Sequence, residues 1–237
     1  MKKSVLLTGA SGTVGYEVLK QLIEKNQYEV TVFDIKSKNS QRKFDVLPQT
    51  FEIVYGDISN KNDVEHVSKK KDFVIHLAAI IPPLADEMPD LAEKVNVKGT
   101  ENLIFQLEKH SPNAFFIYSS SISVYGDRLL TPEINVGDEL VPSEGDEYAV
   151  TKIKTEKIIQ QSKLKWSVFR LAAIMGNHKI SKLMFHMPLK TSVEICTPAD
   201  TARAFVNALE HQSELEGRIF NLGGGEHCRL TYEELLS

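Results

Sequence analysis

Alternating strand and helix patterns predict an α/β protein built on a doubly wound parallel sheet. Three observations carry that expectation. Short apolar segments near residues 4–8, 29–33, 51–55, 73–77, 114–119, 166–170 and 218–222 read as strands, separated mostly by helical periodicity. The first of them runs into Gly9, Gly12 and Gly15 and then into an amphipathic helix. The 237 residues, 42% of them apolar, suffice to bury one large core, so a single domain over 1–237 is expected.

The elements follow in order. Gly9 permits a tight turn, Gly12 lets backbone N–H groups approach a pyrophosphate at the positive end of the helix, and Gly15 lets that helix pack closely on the sheet. Val14, Val18, Leu19, Leu22 and Ile23 keep one apolar helix face. The second strand, Glu29 to Phe33, ends in Asp34, about 20 residues after the glycines, where a ribose-binding acid belongs. A dinucleotide cofactor follows from that arrangement. Asp34 favours NAD, because a carboxylate accepts from ribose hydroxyls and repels a 2′-phosphate. Lys36 and Lys38 soften the preference, so NADP is the alternative.

The fourth strand ends in His76, read as a satisfied structural histidine. The fifth runs into the polar turn Ser119, Ser120, Ser121. Further on, Tyr148 and Lys152 stand four apart on a predicted helix, on one face and about 5–6 Å apart. Most such pairs are a half-buried tyrosine beside a solvated lysine. Combined with the glycine turn, this pair reads as a proton-transfer couple in which the ammonium lowers the phenol pKa. Pro82-Pro83, 126–147 and 176–200 are the long irregular connections, where specificity commonly resides. His178 and His186 flank the segment expected to cover the substrate and are candidate contacts. Near the end, Thr231-Tyr232-Glu233-Glu234 reads as a capping box opening a helix, yet the sequence stops three residues later. Such a helix is not stable alone, so a longer working protein is expected.

Charge and composition exclude more than they assign. A net charge of -4 and a pI near 6.0 give no reason to expect nucleic acid. The run Lys69-Lys70-Lys71 reads as a solvated helix terminus. Cys196 and Cys228 are too few and too far apart for a disulfide framework or metal knuckle, and the seven histidines lack ligand spacing, so no metal is expected. No apolar run nears membrane-spanning length and the N-terminus enters a strand directly, so a cytoplasmic enzyme is expected.

Taken in order, the motifs resemble the extended short-chain dehydrogenase/reductase family, the group with nucleotide-sugar epimerases, dehydratases and related reductases. Thr8 to Gly15 is similar to that family's TGxxGxxG, and Gly56-Asp57-Ile58 to its adenine-contacting acid after the third strand. His76-Leu77-Ala78-Ala79 is similar to the loop after the fourth strand, and Asn96-Val97-Lys98-Gly99-Thr100 to the NVxGT helix. Tyr118 to Gly126 resembles the strand delivering the catalytic serine, Tyr148 to Lys152 the YxxxK pair, and Asn221 to Gly225 the late NxGGG turn. The resemblance implies a Rossmann-type NAD site at Gly9, Ser11, Gly12, Thr13, Val14, Gly15 and Asp34. It extends that site to Asp57, Ile58, Leu77, Ala78, Ala79, Asn96 and Ser119. Tyr148 would be the acid/base. Lys152 would stabilise its phenolate and hold the nicotinamide ribose, and Ser121, matched through the following Val-Tyr-Gly, would hydrogen-bond the substrate oxygen.

Two departures narrow the activity. Dehydratases of the group place Asp-Glu after the catalytic hydroxyl, where this chain has Ile122-Ser123, so elimination chemistry is unsupported. Only about 50 residues separate Arg170 from Asn221, roughly half what sugar-nucleotide enzymes use for their substrate lobe, so the resemblance implies a Rossmann sheet with a reduced C-terminal substrate lobe. The first expectation is an NAD-dependent oxidoreductase acting on a secondary alcohol or carbonyl of a small substrate such as a sugar or sugar acid. It would be held by segments 80–90, 122–147 and 176–200, with Arg128, Lys179, Lys182 and His186 as polar partners. The alternatives are a nucleotide-sugar epimerase with tightly bound NAD and a non-catalytic dinucleotide-sensing module; intact Tyr148 and Lys152 argue against the latter. A homodimer is expected through helices at 90–108 and 147–163, whose Leu91, Val95, Leu103, Ile153 and Ile158 either pair or pack inward.

Overall fold

The protein is described by a computed structural model over residues 2–128, 130–176 and 189–236. Its first strand, β1 (Lys3–Thr8), holds Val5, Leu6 and Leu7 fully buried, with side chains alternating between two apolar layers. Burial on both faces is what a central parallel strand requires. The chain continues through α1 (Thr13–Lys25), β2 (Tyr28–Asp34), α2 (Lys38–Asp45), β3 (Glu52–Tyr55), α3 (Lys61–Val67) and β4 (Phe73–His76). Two short helices, α4 (Leu84–Glu87) and α5 (Pro89–Ala92), lead into a π-helical turn at Glu93–Lys98 and then α6 (Gly99–His110). After them come β5 (Phe115–Ser121), a 3₁₀ turn at Ile122–Tyr125, α7 (Glu147–Gln161) and β6 (Lys165–Leu171). The remainder is β7 (Ala173–Ile174), β8 (Ser192–Cys196), α8 (Pro198–Ala208), α9 (Gln212–Leu215), β9 (Arg218–Leu222), β10 (Arg229–Thr231) and α10 (Tyr232–Leu236).

Seven strands form one parallel sheet in the order β3-β2-β1-β4-β5-β6-β9. The order reverses between β1 and β4, the switch point at whose carboxyl edge such sheets bind ligands. Val5 and Leu7 join Val18, Leu22 and Phe205 on one face, where α1 packs beside α8. Leu6 joins Val64, Leu103, Phe116 and Ile159 on the other, beneath α3, α6 and α7. The predicted strands agree with the sheet to within one or two residues.

Four features differ from expectation or refine it. A second, mixed sheet, β10-β8-β7, was not anticipated, because strands of two to five residues carry too little periodicity. The helix expected over 90–108 is interrupted by the π turn, which contains Asn96. Lys71 is not a solvated terminus: its Nζ donates to Thr31 Oγ1 at 2.7 Å, and burial lowers its pKa against the pull of Glu52 and Glu29. The capping box is present, with Glu234 N–H donating to Thr231 Oγ1 and Thr231 N–H donating to the Glu234 carboxylate. Of the candidate pairing residues, Leu103 is wholly buried in the core, while Leu91, Val95, Ile153 and Ile158 are partly covered. His178, Lys179, Lys182 and His186 lie outside the described residues.

Candidate active site

The glycine turn leaves β1 with Gly9 at φ +71°, held by its N–H donating to the Phe33 carbonyl at 3.2 Å. A Cβ on Gly15 would stand 2.2 Å from the Gly9 carbonyl oxygen, so only glycine allows the close crossing of turn and helix. Gly12 is the N-cap of α1 and provides no side-chain cap, so the first helical turn faces outward as backbone alone. That is the cradle a diphosphate needs. Ser11, Thr13 and Val14 belong to this turn and helix start. Asp34 is fixed beside it: Oδ2 accepts from the Ser11 N–H at 2.7 Å and Oδ1 from the Ile35 N–H at 2.8 Å. Each carboxylate oxygen retains a lone pair for a ribose hydroxyl. These residues fit the adenosine half of a dinucleotide.

Sequence reasoning missed a cation here. Lys43, on α2, donates to the Ser11 carbonyl at 2.8 Å and lies 5.4 Å from the Tyr16 ring centre, next to the Asp34 anchor. Lys36, the cation named instead, sits 5.9 Å from the Tyr55 ring centre. The contact between α2 and the glycine turn is tertiary, and no spacing in the sequence announces it.

At the neighbouring strand ends, Asp57 Oδ1 accepts from both the Ser59 N–H and the Ser59 hydroxyl, each at 2.8 Å, while the Ile58 side chain is buried in the core. Leu77, Ala78 and Ala79 follow β4, and a Cβ on Gly9 would touch the Ala78 backbone, so this loop closes against the glycine turn. Asn96 is buried with its amide fully engaged: Oδ1 accepts from Ile80 N–H at 2.7 Å, and Nδ2 donates to the Ile80 carbonyl and Thr151 Oγ1. It holds the loop in place from behind.

His76 is buried and bonded at both nitrogens, to Thr8 Oγ1 at 2.7 Å and Thr100 Oγ1 at 2.8 Å. Thr100 donates its hydroxyl to the Asn96 carbonyl and so accepts from His76 Nε2–H. His76 Nδ1 is then the acceptor from Thr8, whose oxygen receives the N–H groups of Leu77 and Ala78 at 3.2 Å. The network assigns a neutral ring with the proton on Nε2. Burial, then Lys152, pushes the pKa down to about 3, so the structural role expected for His76 is the one its bonds support.

The three serines, expected as a turn, are the last residues of β5 and have three different environments. Ser119 presents its carbonyl to Lys152 Nζ at 2.7 Å. Ser120 alternates to the other side and donates its hydroxyl to Glu156 Oε1 at 2.5 Å. Ser121 turns back, and its Oγ accepts from the Ser123 N–H at 3.1 Å, which leaves the hydroxyl proton free to donate. Ser121 thus has a hydroxyl available at the sheet edge.

Asp146 caps α7 by accepting from the Ala149 N–H at 2.7 Å, which sets the helix carrying Tyr148 and Lys152 against this edge. Lys152 is buried, 4.6 Å from the Tyr118 ring centre and 5.3 Å from that of Tyr148. Burial pulls its pKa down to about 7, opposed by Glu156. Burial, then Asp146, raises that of Tyr148 well above the usual phenol value. In the chain by itself the Tyr148 pKa is raised, against the lowering expected from Lys152, and burial is the larger cause. Arg128 also departs from expectation. It donates to the carbonyls of Thr131 and Glu133 and pairs with Asp138 at 2.9 Å, bracing its own loop. Among the described residues no group of three or more His, Cys, Asp or Glu side chains is placed to hold a metal ion, and no helix is long and apolar enough to cross a membrane.

Comparison with known proteins places this geometry among relatives. The sequence profile of the 3-beta hydroxysteroid dehydrogenase/isomerase family matches residues 6–167. The mouse 3 beta-hydroxysteroid dehydrogenase type 7 is 25% identical over 162 residues, 66% of this chain and 44% of the relative. The chain spans about half the length of the curated relatives it matches. Among solved structures, a UDP-N-acetylglucosamine 4-epimerase from Methanobrevibacter ruminantium superposes with a TM-score of 0.82 at 21% identity, covering 99% of this chain and 80% of that one. The UDP-glucose 4-epimerase of Thermus thermophilus, solved with NAD, gives 0.75 at 22% identity, covering 98% and 81%.

Proposed function

The chain belongs to the 3-beta hydroxysteroid dehydrogenase/isomerase family within the extended short-chain dehydrogenase/reductases, and from that premise we propose an NAD-dependent oxidoreductase acting on a secondary alcohol or its carbonyl. The observation that carries the proposal is the constellation at the end of β5: a free Ser121 hydroxyl, Tyr148, and a buried Lys152 anchored by the Ser119 carbonyl. Ser121 donates to the substrate oxygen and favours the form in which negative charge gathers there. Tyr148 takes the alcohol proton in oxidation and returns it in reduction. Lys152, held by the Ser119 carbonyl, would keep N–H donors for the ribose of the cofactor. Bound oxidised NAD supplies the hydride acceptor and a positive charge that favours the Tyr148 phenolate. Asp34 makes NAD the cofactor over NADP. The enzyme works in the cytoplasm as a homodimer joined through α6 and α7, where Phe105 is exposed.

The substrate is a small one such as a sugar or sugar acid, covered by segments 80–90, 122–147 and 176–200, because the stretch between β6 and β9 is short. A second reading, an alcohol on an apolar body, is favoured by the connection after β4, where Ile81, Leu84 and Met88 are 59%, 40% and 49% exposed. A turnover screen that follows nicotinamide absorbance over sugars, sugar acids, nucleotide sugars and apolar ring alcohols decides between them. Turnover of the first two classes supports the small polar substrate. Turnover of apolar alcohols alone supports the second reading. Micromolar binding of nucleotide sugars with co-purifying NAD would instead make the protein an epimerase.

A further inference from the structure

Beneath the site lies a buried charged group that the chemistry above does not use. Glu156, one helical turn beyond Lys152 on α7, and Arg170 on β6 are 1% and 3% exposed. Arg170 Nε and Nη2 donate to the two carboxylate oxygens at 3.0 and 2.7 Å, and the Ser120 hydroxyl donates to Oε1. On its far side, Arg170 Nη1 donates to the Tyr125 hydroxyl at 2.5 Å and to the Val136 carbonyl at 3.2 Å. Tyr125 in turn donates to Asn221 Oδ1 at 2.8 Å, and Asn221 Nδ2 reaches the Ile134 carbonyl. One connected network therefore ties the end of β5, helix α7, strand β6, the loop over 126–147 and strand β9.

Burying two charges is costly, and an apolar pair of equal volume is often as stable. Stability alone does not explain such a network; its placement does. Ser120 is flanked by Ser119, which anchors Lys152, and by Ser121, which offers the free hydroxyl. We propose that Glu156 is a positioning residue for the reaction: clamped by Ser120 and Arg170, it locks α7 to the end of β5 and serves as the counter-charge of the Lys152 ammonium. The inference rests on the proposed role of Tyr148 and Lys152. It agrees with the electrostatics, since Glu156 is the group that holds the Lys152 pKa up against burial. The other groups facing Lys152 are His76 on β4, Tyr118 on β5 and Tyr148 on its own helix, with Asp146 acting through Tyr148. His76 is neutral, and all of them are retained in the variants below.

The test is the ionisation of Lys152, read by NMR titration of side-chain-labelled lysine, with Lys152→Met assigning the signal. Glu156→Gln is expected to lower the Lys152 midpoint by about one pH unit or more. Should an unpaired Arg170 prevent folding, the apolar pair Glu156→Leu with Arg170→Met keeps the volume, and a smaller downward shift is expected because the Arg170 charge leaves with Glu156. In the active enzyme the alkaline limb of the kcat profile moves to lower pH by the same amount, with kcat changing more than KM. A midpoint unchanged in whichever variant folds, with only thermal stability reduced, would overturn the proposal and leave a structural ion pair. Because the titration needs no substrate, it stands even if no panel compound turns over, whereas that failure would count against the oxidoreductase alone.

Discussion

Acidification from pH 7 to pH 5 should destabilise the fold through His76, by an amount its burial sets. The ring is wholly buried, its Nε2–H donates to Thr100, and its Nδ1 accepts from Thr8. A second proton would have to enter at Nδ1 and turn the Thr8 hydroxyl away, in a site where charge is poorly solvated. Burial first, and Lys152 second, hold the folded pKa at about 3, against 6.5 for the unfolded chain. A base whose folded pKa is depressed stays neutral in the fold while the unfolded chain takes up a proton. Its contribution is therefore fully present above 6.5 and is lost as pH falls towards 3. The slope approaches about 1.4 kcal/mol per pH unit, so the step from pH 7 to pH 5 costs roughly 2 kcal/mol. The assay is urea unfolding at both pH values for the wild type and His76→Gln. The variant has lower stability at pH 7 but lacks this term, and the other titrating groups are common to both proteins. If the loss between pH 7 and 5 is the same in both to within about 0.5 kcal/mol, the neutral buried ring and its hydrogen-bond assignment are wrong.

Other outcomes follow from the cofactor cradle and the strand end. Asp34→Ala should relax the preference for NAD in comparative titrations with NADP; a wild-type protein binding NADP more tightly would show that Lys43 or Lys36 controls the site. Gly15→Ala forces a Cβ to 2.2 Å from the Gly9 carbonyl, so NAD should no longer raise the thermal unfolding temperature. A normal NAD-induced rise would mean that the turn and α1 tolerate separation. Ser121→Ala should lower kcat by about 10²-fold with a smaller change in KM; equal activity would transfer its role elsewhere.

How much of this was legible in the sequence depended on whether a feature is local. The strands of the main sheet were readable because Val5 to Leu7, Phe73 to Ile75 and Phe115 to Ile117 are buried runs bounded by polar turns. The glycine turn and the Tyr148–Lys152 spacing are equally local. What the sequence could not show was depth. Helical spacing puts Lys152 beside Tyr148 but does not say how strongly desolvation acts on the two, raising the phenol pKa and lowering that of the ammonium. Arg128 looked available for a substrate, yet Asp138 and two loop carbonyls engage it. The contacts of Lys43 with Ser11 and of Glu156 with Arg170 and Ser120 join distant segments, and only the folded sheet brings them together.

The central claim is that Tyr148 moves the proton. Tyr148→Phe keeps the ring and removes only the ionisable oxygen. Steady-state turnover on the substrate found by the screen, measured beside NAD binding by titration calorimetry, tests it most directly. The account predicts a fall in kcat of about 10²–10⁴-fold with NAD affinity nearly intact. A variant that keeps near-native kcat would contradict it, whatever its affinity for NAD.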